Sequence, residues 1–258
     1  MDKLLEVMKR LRAPGGCPWD RVQTIKSLRP YLLEETYEVL DAMEEGDYRK
    51  LCEELGDLLM QIVFQAEIAE DEGKFTFSDV AQGITEKMIN RHPHVFENMT
   101  LNTPEEVVNE WDKFKSKEGK KGIFEGVPGE LPALLQAEKY QRRAKRIGLE
   151  FESGSDVIGK LKEELSELEK IYQKGSTDDL EEEFGDVLFS IVNLGRFLEI
   201  NPELSLLSAN RKFKQRVEQV DSLLGKEPER QKIEADPHLL DVLWNKAKKT
   251  KKGGESSV

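Results

Sequence analysis

Two pieces of the sequence repeat one arrangement of acids. Glu34, Glu35 and Glu38 are followed by Glu54 and Asp57, and the same types recur 129 positions later as Glu163, Glu164, Glu167, Glu183 and Asp186. On a helix, residues three or four apart share a face, so Glu35 stands one turn from Glu38, and Glu54 one turn from Asp57. If the two helices of each copy pack as an antiparallel hairpin, the pairs converge into a four-carboxylate cluster. The second copy does the same with Glu164, Glu167, Glu183 and Asp186. Such a cluster is the usual means of holding a hard divalent cation.

Glutamate runs on helices are ordinarily solvated faces, so E-E-x-x-E alone says little. Three features raise its meaning here. The acids border apolar stripes: Asp57 precedes Leu58, Leu59, Ile62 and Val63, and Asp186 precedes Val187, Leu188, Ile191 and Val192. No Lys or Arg occurs from Leu51 through Gly73, which leaves the first group without i,i+4 partners. Gly56 and Gly185 each lie mid-helix, where glycine costs roughly 1 kcal/mol relative to alanine, and so lead one to expect close backbone packing. Partly buried like charges repel unless a cation joins them. All the donors are carboxylate oxygens, which favours Mg²⁺, with Mn²⁺ as a substitute. A di-iron centre would need E-x-x-H on two helices, and none of His92, His94 and His238 has a Glu three residues before it. Neither H-E-x-x-H nor a Walker-type loop is present.

A carboxylate-held Mg²⁺ commonly completes its shell with water and substrate phosphates, and phosphate chemistry needs positive side chains opposite. The stretch "SANRKFKQRVEQV" supplies Lys212 and Arg216 one turn apart, with Arg211 and Lys214 nearby. Lys160, one turn before Glu164, is a further candidate for the nucleotide. Glu163 is the candidate to orient or deprotonate the attacking water. Trp244 offers a ring that either stacks on a base or anchors its helix. In the first copy the corresponding stretch is "INRHPHVF", with His92 opposite Lys212 and Phe96 opposite Arg216. That copy keeps its acids and loses the basic pair.

The elements that must position these residues are helical throughout. Strand-like alternation is scarce and 3.6-residue periodicity dominates, which gives an all-α chain. Helices are expected at 2–12, 24–45 (stopped by Gly46, with Asp47 capping the next), 48–72, and from Ser78 to before Pro93. Residues 115–132, rich in Gly, Lys and Pro, read as a linker between an N-terminal domain at 1–114 and a C-terminal domain at 133–248. In the second copy helices are expected at 133–146, 156–173, from a cap at Ser176 or Thr177 to Leu198, at 203–224 and at 238–248. Residues 249–258 read as a disordered tail. The chain has 258 residues and a formal charge of −12, which argues against a nucleic-acid polymer as partner. Cys17 and Cys52 form no CxxC, and no apolar run reaches membrane-spanning length, so a cytoplasmic protein is expected.

Together "GCPWD", "YLLEETYEVLDAM", "ELGDLLMQIVFQAEIA", "RHPHVF" and "LPALLQAEKYQRRAKRIGLEFE", with the second E-E-x-x-E and E-x-x-D, resemble the MazG family of nucleoside triphosphate pyrophosphohydrolases. These are all-α enzymes related to the all-α dUTPases, and the resemblance covers nearly the whole chain as a tandem two-domain member. It implies helical-bundle domains that dimerise through packed helices. It also implies Mg²⁺-dependent hydrolysis of NTPs and dNTPs to monophosphate and pyrophosphate, as nucleotide-pool control. The family's metal ligands fall on Glu164, Glu167, Glu183 and Asp186, and its nucleotide contacts on Lys212, Arg216 and Trp244. In some two-domain members only the C-terminal copy works. The alternative is a helical module that binds a nucleotide or a partner with little turnover.

Overall fold

The computed structural model describes residues 1–107, 110–111, 122–173, 175–224 and 236–250, and among them no strand occurs. The chain divides into two compact units, Met1–Glu118 and Gly119–Val258. No helix among the described residues is long and apolar enough to cross a membrane.

The first unit holds α1 (Asp2–Arg12), α2 (Pro18–Val22), α3 (Arg29–Glu45), α4 (Tyr48–Asp71), α5 (Phe77–Arg91) and α6 (Pro93–Phe96). Its centre is the α3–α4 hairpin, with α1 and α5 packed on α4. The hairpin turns where expected. Gly46 takes φ 70, the left-handed conformation that ends a helix, and the Asp47 carboxylate accepts from the amides of Arg49 and Lys50. Met8, Leu28, Val63, Phe64 and Ile68 form the core, at the end of α4 remote from Glu54 and Asp57.

Three boundaries differ from the sequence reading. The helix expected from Thr24 begins at Arg29, because Thr24 and Ser27 exchange side-chain-to-amide hydrogen bonds that build a turn instead. α5 begins one residue early, at Phe77, with Thr76 and Asp79 forming a capping box. The short helices α2 and α6, each opened by a proline, were not anticipated.

The second unit holds α7 (Ala133–Lys145), α8 (Gly154–Tyr172), α9 (Thr177–Phe197), α10 (Pro202–Leu224) and α11 (Pro237–Thr250). Here the α8–α9 hairpin is central, α7 and α10 lie against α9, and α11 pairs with α10. Ser176 and Asp179 cap α9 reciprocally, and Ser153 caps α8. Within the stretch read as a linker, residues from Gly122 onward fold onto this unit. Arg143 donates to the carbonyls of Ile123 and Glu125, and Phe124 meets Tyr140 edge-on at 5.0 Å. Residues 115–121 of the linker, and 251–258 of the tail, lie outside the described residues.

The mid-helix glycines do not mark close packing. A Cβ added at Gly56 or Gly185 would meet nothing within 4 Å, and both positions are exposed in the single chain. The expectation drawn from their energetic cost is therefore corrected.

Candidate metal and nucleotide site

Each hairpin brings its glutamates together. Oxygens of Glu35, Glu38 and Glu54 lie within 4.8 Å of one another, and so do those of Glu164, Glu167 and Glu183. Asp57 and Asp186 fall outside these triads, on exposed turns of their helices, yet stay close enough to act electrostatically. Burial first, and then the charges of Glu167, Glu164 and Asp186, push the Glu183 carboxyl above its usual range. In the first copy burial and the charge of Asp57 raise Glu35, and burial with Glu38 raises Glu54. Both clusters hold charge that their own surroundings repel.

The copies handle that repulsion differently. In the second, the Lys160 ammonium bridges Glu163 at 2.9 Å and Glu164 at 2.8 Å, and its own pKa is raised by both. Glu164 is 6% exposed, so this lysine neutralises a carboxylate cut off from water. In the first copy Tyr31 stands at the position of Lys160, at the same 129-residue offset. There the buried Gln61 hydrogen-bonds Glu35 and lowers its pKa, a neutral donor in place of a cation. Gln61 was missed in the sequence, where it reads as one more residue of an apolar run.

Glu183 Oε2 is buried and has no hydrogen-bond partner. An orphaned carboxylate oxygen beside two further glutamates is a donor set short of a cation, and all of its atoms are hard oxygens. These residues fit a divalent ion such as Mg²⁺.

A second group of candidates lies on α10 and α11. The Arg216 guanidinium carbon is 6.0 Å from the Trp244 ring centroid, Lys248 Nζ is 5.6 Å from it, and Phe213 meets the same ring at 5.7 Å. Trp244 thus anchors α11 on α10 and presses against a cation at once. Lys212 is exposed and Arg216 half-buried, and neither forms an ion pair among the described residues. Both charges are available to an incoming anion. In the first copy His92 Nδ1–H donates to the Met88 carbonyl at 2.6 Å and the ring packs against Trp111 at 5.5 Å, a ring where the second copy has a free ammonium.

The acids at the far end of α4 are compensated from outside their helix. Lys9 pairs with Glu70 and Arg12 with Asp71, both from α1. Residues 51–73 lack cations of their own, and α1 supplies these two at the end remote from the triad.

A third feature was not anticipated. Arg196, 8% exposed, donates to both Glu150 oxygens at 2.9 and 2.5 Å and also to Asn193 Oδ1. The guanidinium holds the Glu150 pKa down to about 2. No local periodicity links residues 46 positions apart, so the sequence offered no signal for the pair.

Comparison with known proteins bears on all of this. The MazG nucleotide pyrophosphohydrolase domain matches residues 23–96 and again 153–221, which contain the two acid motifs. A nucleoside triphosphate pyrophosphohydrolase/pyrophosphatase of Thermotoga maritima is 42% identical over 254 residues, 96% of this chain and 95% of that protein. The nucleoside triphosphate pyrophosphohydrolase of Escherichia coli K12 is 38% identical over 256 residues, 96% of this chain and 97% of that one. An uncharacterised Bacillus subtilis protein is 40% identical over 250 residues, which make up 51% of its length.

Proposed function

The chain belongs to the MazG family of nucleotide pyrophosphohydrolases, and from that premise we propose that its second unit hydrolyses NTPs and dNTPs to monophosphate and pyrophosphate with Mg²⁺, which Mn²⁺ can replace. The observation that carries this reading is the orphaned oxygen of Glu183, whose carboxyl is raised by burial and its neighbours, within the glutamate triad and in the same unit as two unpaired cations. Glu164, Glu167 and Glu183, with Asp186 beside them, would hold the divalent ion, which supplies neutralisation of the phosphates and a polarised water when bound. Attack at the α-phosphorus breaks its bond to the bridging oxygen, and pyrophosphate leaves. Lys212 and Arg216 stabilise the charge that develops on pyrophosphate. Glu163 accepts the water's proton, and Lys160, bridging Glu163 and Glu164, keeps the two carboxylates placed. Trp244 is the nucleotide contact that also positions Arg216.

The first unit serves as a non-catalytic scaffold in this reading. Tyr31, His92 and Phe96 stand where the second copy has Lys160, Lys212 and Arg216. A second copy of the chain completes the assembly. Leu33, Met43, Leu55 and Ile62 on one hairpin, and Leu165, Phe184, Leu188 and Ile191 on the other, are exposed large apolar side chains in the single chain. Hairpins of this kind bury such faces by pairing into four-helix bundles, which makes a homodimer, working in the cytoplasm where nucleotides are made and consumed. Chromatography of the products tests the reaction: monophosphate and pyrophosphate are expected, whereas diphosphate and orthophosphate would reject attack at the α-phosphorus.

A further inference from the structure

The second unit contains a cavity of about 450 Å³ beside the carboxylate hairpin, lined chiefly by Phe124, Tyr140, Phe151 and Phe189, with Gln141 and Asn193 among its polar groups. Such a volume is in the range of small-molecule sites, and apolar walls carrying a few fixed polar groups are their usual make-up. The two amides are oriented by their other bonds. Gln141 Nε2 donates to the Phe189 carbonyl at 2.9 Å, so its Oε1 is the free end. That oxygen is buried with no hydrogen-bond partner, on a residue 6% exposed. Asn193 Oδ1 accepts from Arg196 at 3.1 and 2.7 Å, which leaves Nδ2 as the group to donate. Arg196 is in turn held by Glu150, so neither amide can flip without breaking a bond already made.

We infer that this cavity receives the heterocyclic base of the nucleotide, between aromatic walls, with Gln141 Oε1 accepting from and Asn193 Nδ2 donating to its polar edge. The inference rests on the proposed pyrophosphohydrolase reading for the position of the phosphates. Asp186, Phe189 and Asn193 fall on one stripe of α9. At about 1.5 Å rise per residue, Phe189 lies about 4.5 Å and Asn193 about 10 Å along the axis from Asp186 on that stripe, a span within reach of a ribose. Every nucleobase edge carries an N–H donor next to an acceptor, so one fixed acceptor and one fixed donor admit bases in general and reward the presence of a base. Buried polar groups left unpaired make the reward steep, because a ligand lacking the edge leaves Gln141 unsatisfied. The first unit is the internal contrast. Phe64 occupies the position of Asn193 there, is 1% exposed, and belongs to the core with Trp19 at 6.3 Å. Where the second copy has a cavity, the first has a filled core.

The test compares nucleoside triphosphates with base-free ribose 5-triphosphate on the full chain, for the wild type, Gln141→Met and Asn193→Leu. The wild type should favour a nucleotide by at least tenfold in kcat/KM. Each variant should reduce that ratio about tenfold, the equivalent of one hydrogen bond to a buried group. Gln141→Met leaves the Arg196–Glu150 pair alone and so guards against misfolding by the other change. A ratio unchanged in both variants, or equal losses on both substrates, would overturn the assignment. If the wild type hydrolyses nothing, the catalytic reading fails separately, and calorimetric titration with nucleoside monophosphates and ribose 5-phosphate still decides the pocket. Base-dependent binding lost in Gln141→Met supports it, and equal or absent binding of the two ligands overturns it.

Discussion

The α3–α4 and α8–α9 hairpins are built alike, and what surrounds their acids is not. Each brings three glutamates within 4.8 Å and leaves an aspartate one turn beyond. The second unit carries, with its triad and the ammonium bridge from Lys160, an orphaned carboxylate oxygen, two cations on α10 without an ion pair among the described residues, and an aromatic cavity. The first unit has a glutamine amide on Glu35, a tyrosine at the position of Lys160, a histidine tied to a backbone carbonyl, and, in the core away from the triad, a phenylalanine at the position of Asn193. In the proposed reading a carboxylate triad persists as part of a hairpin while the groups that would use it are lost. The acids alone then do not make a working site; the cations and the cavity of the second unit do.

The comparison breaks most easily at the acids. Glu183→Gln should lower pyrophosphate release about a thousandfold or more, the scale expected when preorganised charge at a phosphoryl centre is removed. The counterpart Glu54→Gln should leave the rate within about twofold, and a large loss there would show the first copy to be a working site. Next come the cations: Arg216→Ala should cost about a hundredfold in kcat/KM, while Phe96→Ala, at the matching position, should leave it unchanged in a steady-state assay.

How much of this the sequence disclosed depends on the distance over which each interaction acts. The acid repeat, the all-α class, the caps at Asp47 and Ser176 and the loss of the Lys212–Arg216 pair in the first copy are local patterns, and all were readable. The Arg196–Glu150 pair, the Gln141 bond to the Phe189 carbonyl and the Gln61 bond to Glu35 join residues far apart in sequence, and no spacing signals them. The glycine inference failed for a related reason. A helical glycine shows that a Cβ is absent, and only the fold shows that nothing would have met it.

Smaller effects sharpen the contrast. Calorimetric titration with Mn²⁺ should find binding at both triads, reduced by one site in Glu183→Gln and by the other in Glu54→Gln. Binding to the folded chain should raise its melting midpoint by a few degrees. The Glu150 carboxyl, held at about 2 against an ordinary 4.5, stabilises the second unit above the ordinary value, and that stability is lost as pH falls from about 4.5 toward 2. Its shift equals roughly 3 kcal/mol, which solvent at the one-fifth exposed side chain reduces to about 2. Glu150→Gln should therefore cost about 2 kcal/mol in urea denaturation at neutral pH and flatten the acid limb of the stability curve.

The most direct measurement is pyrophosphate release from an NTP and dNTP panel with Mg²⁺, by the wild type, Asp57→Ala and Asp186→Ala. Loss in Asp186→Ala with full activity in Asp57→Ala is the predicted result and places catalysis in the second hairpin alone. Comparable loss in both, or no release from the wild type, would contradict it.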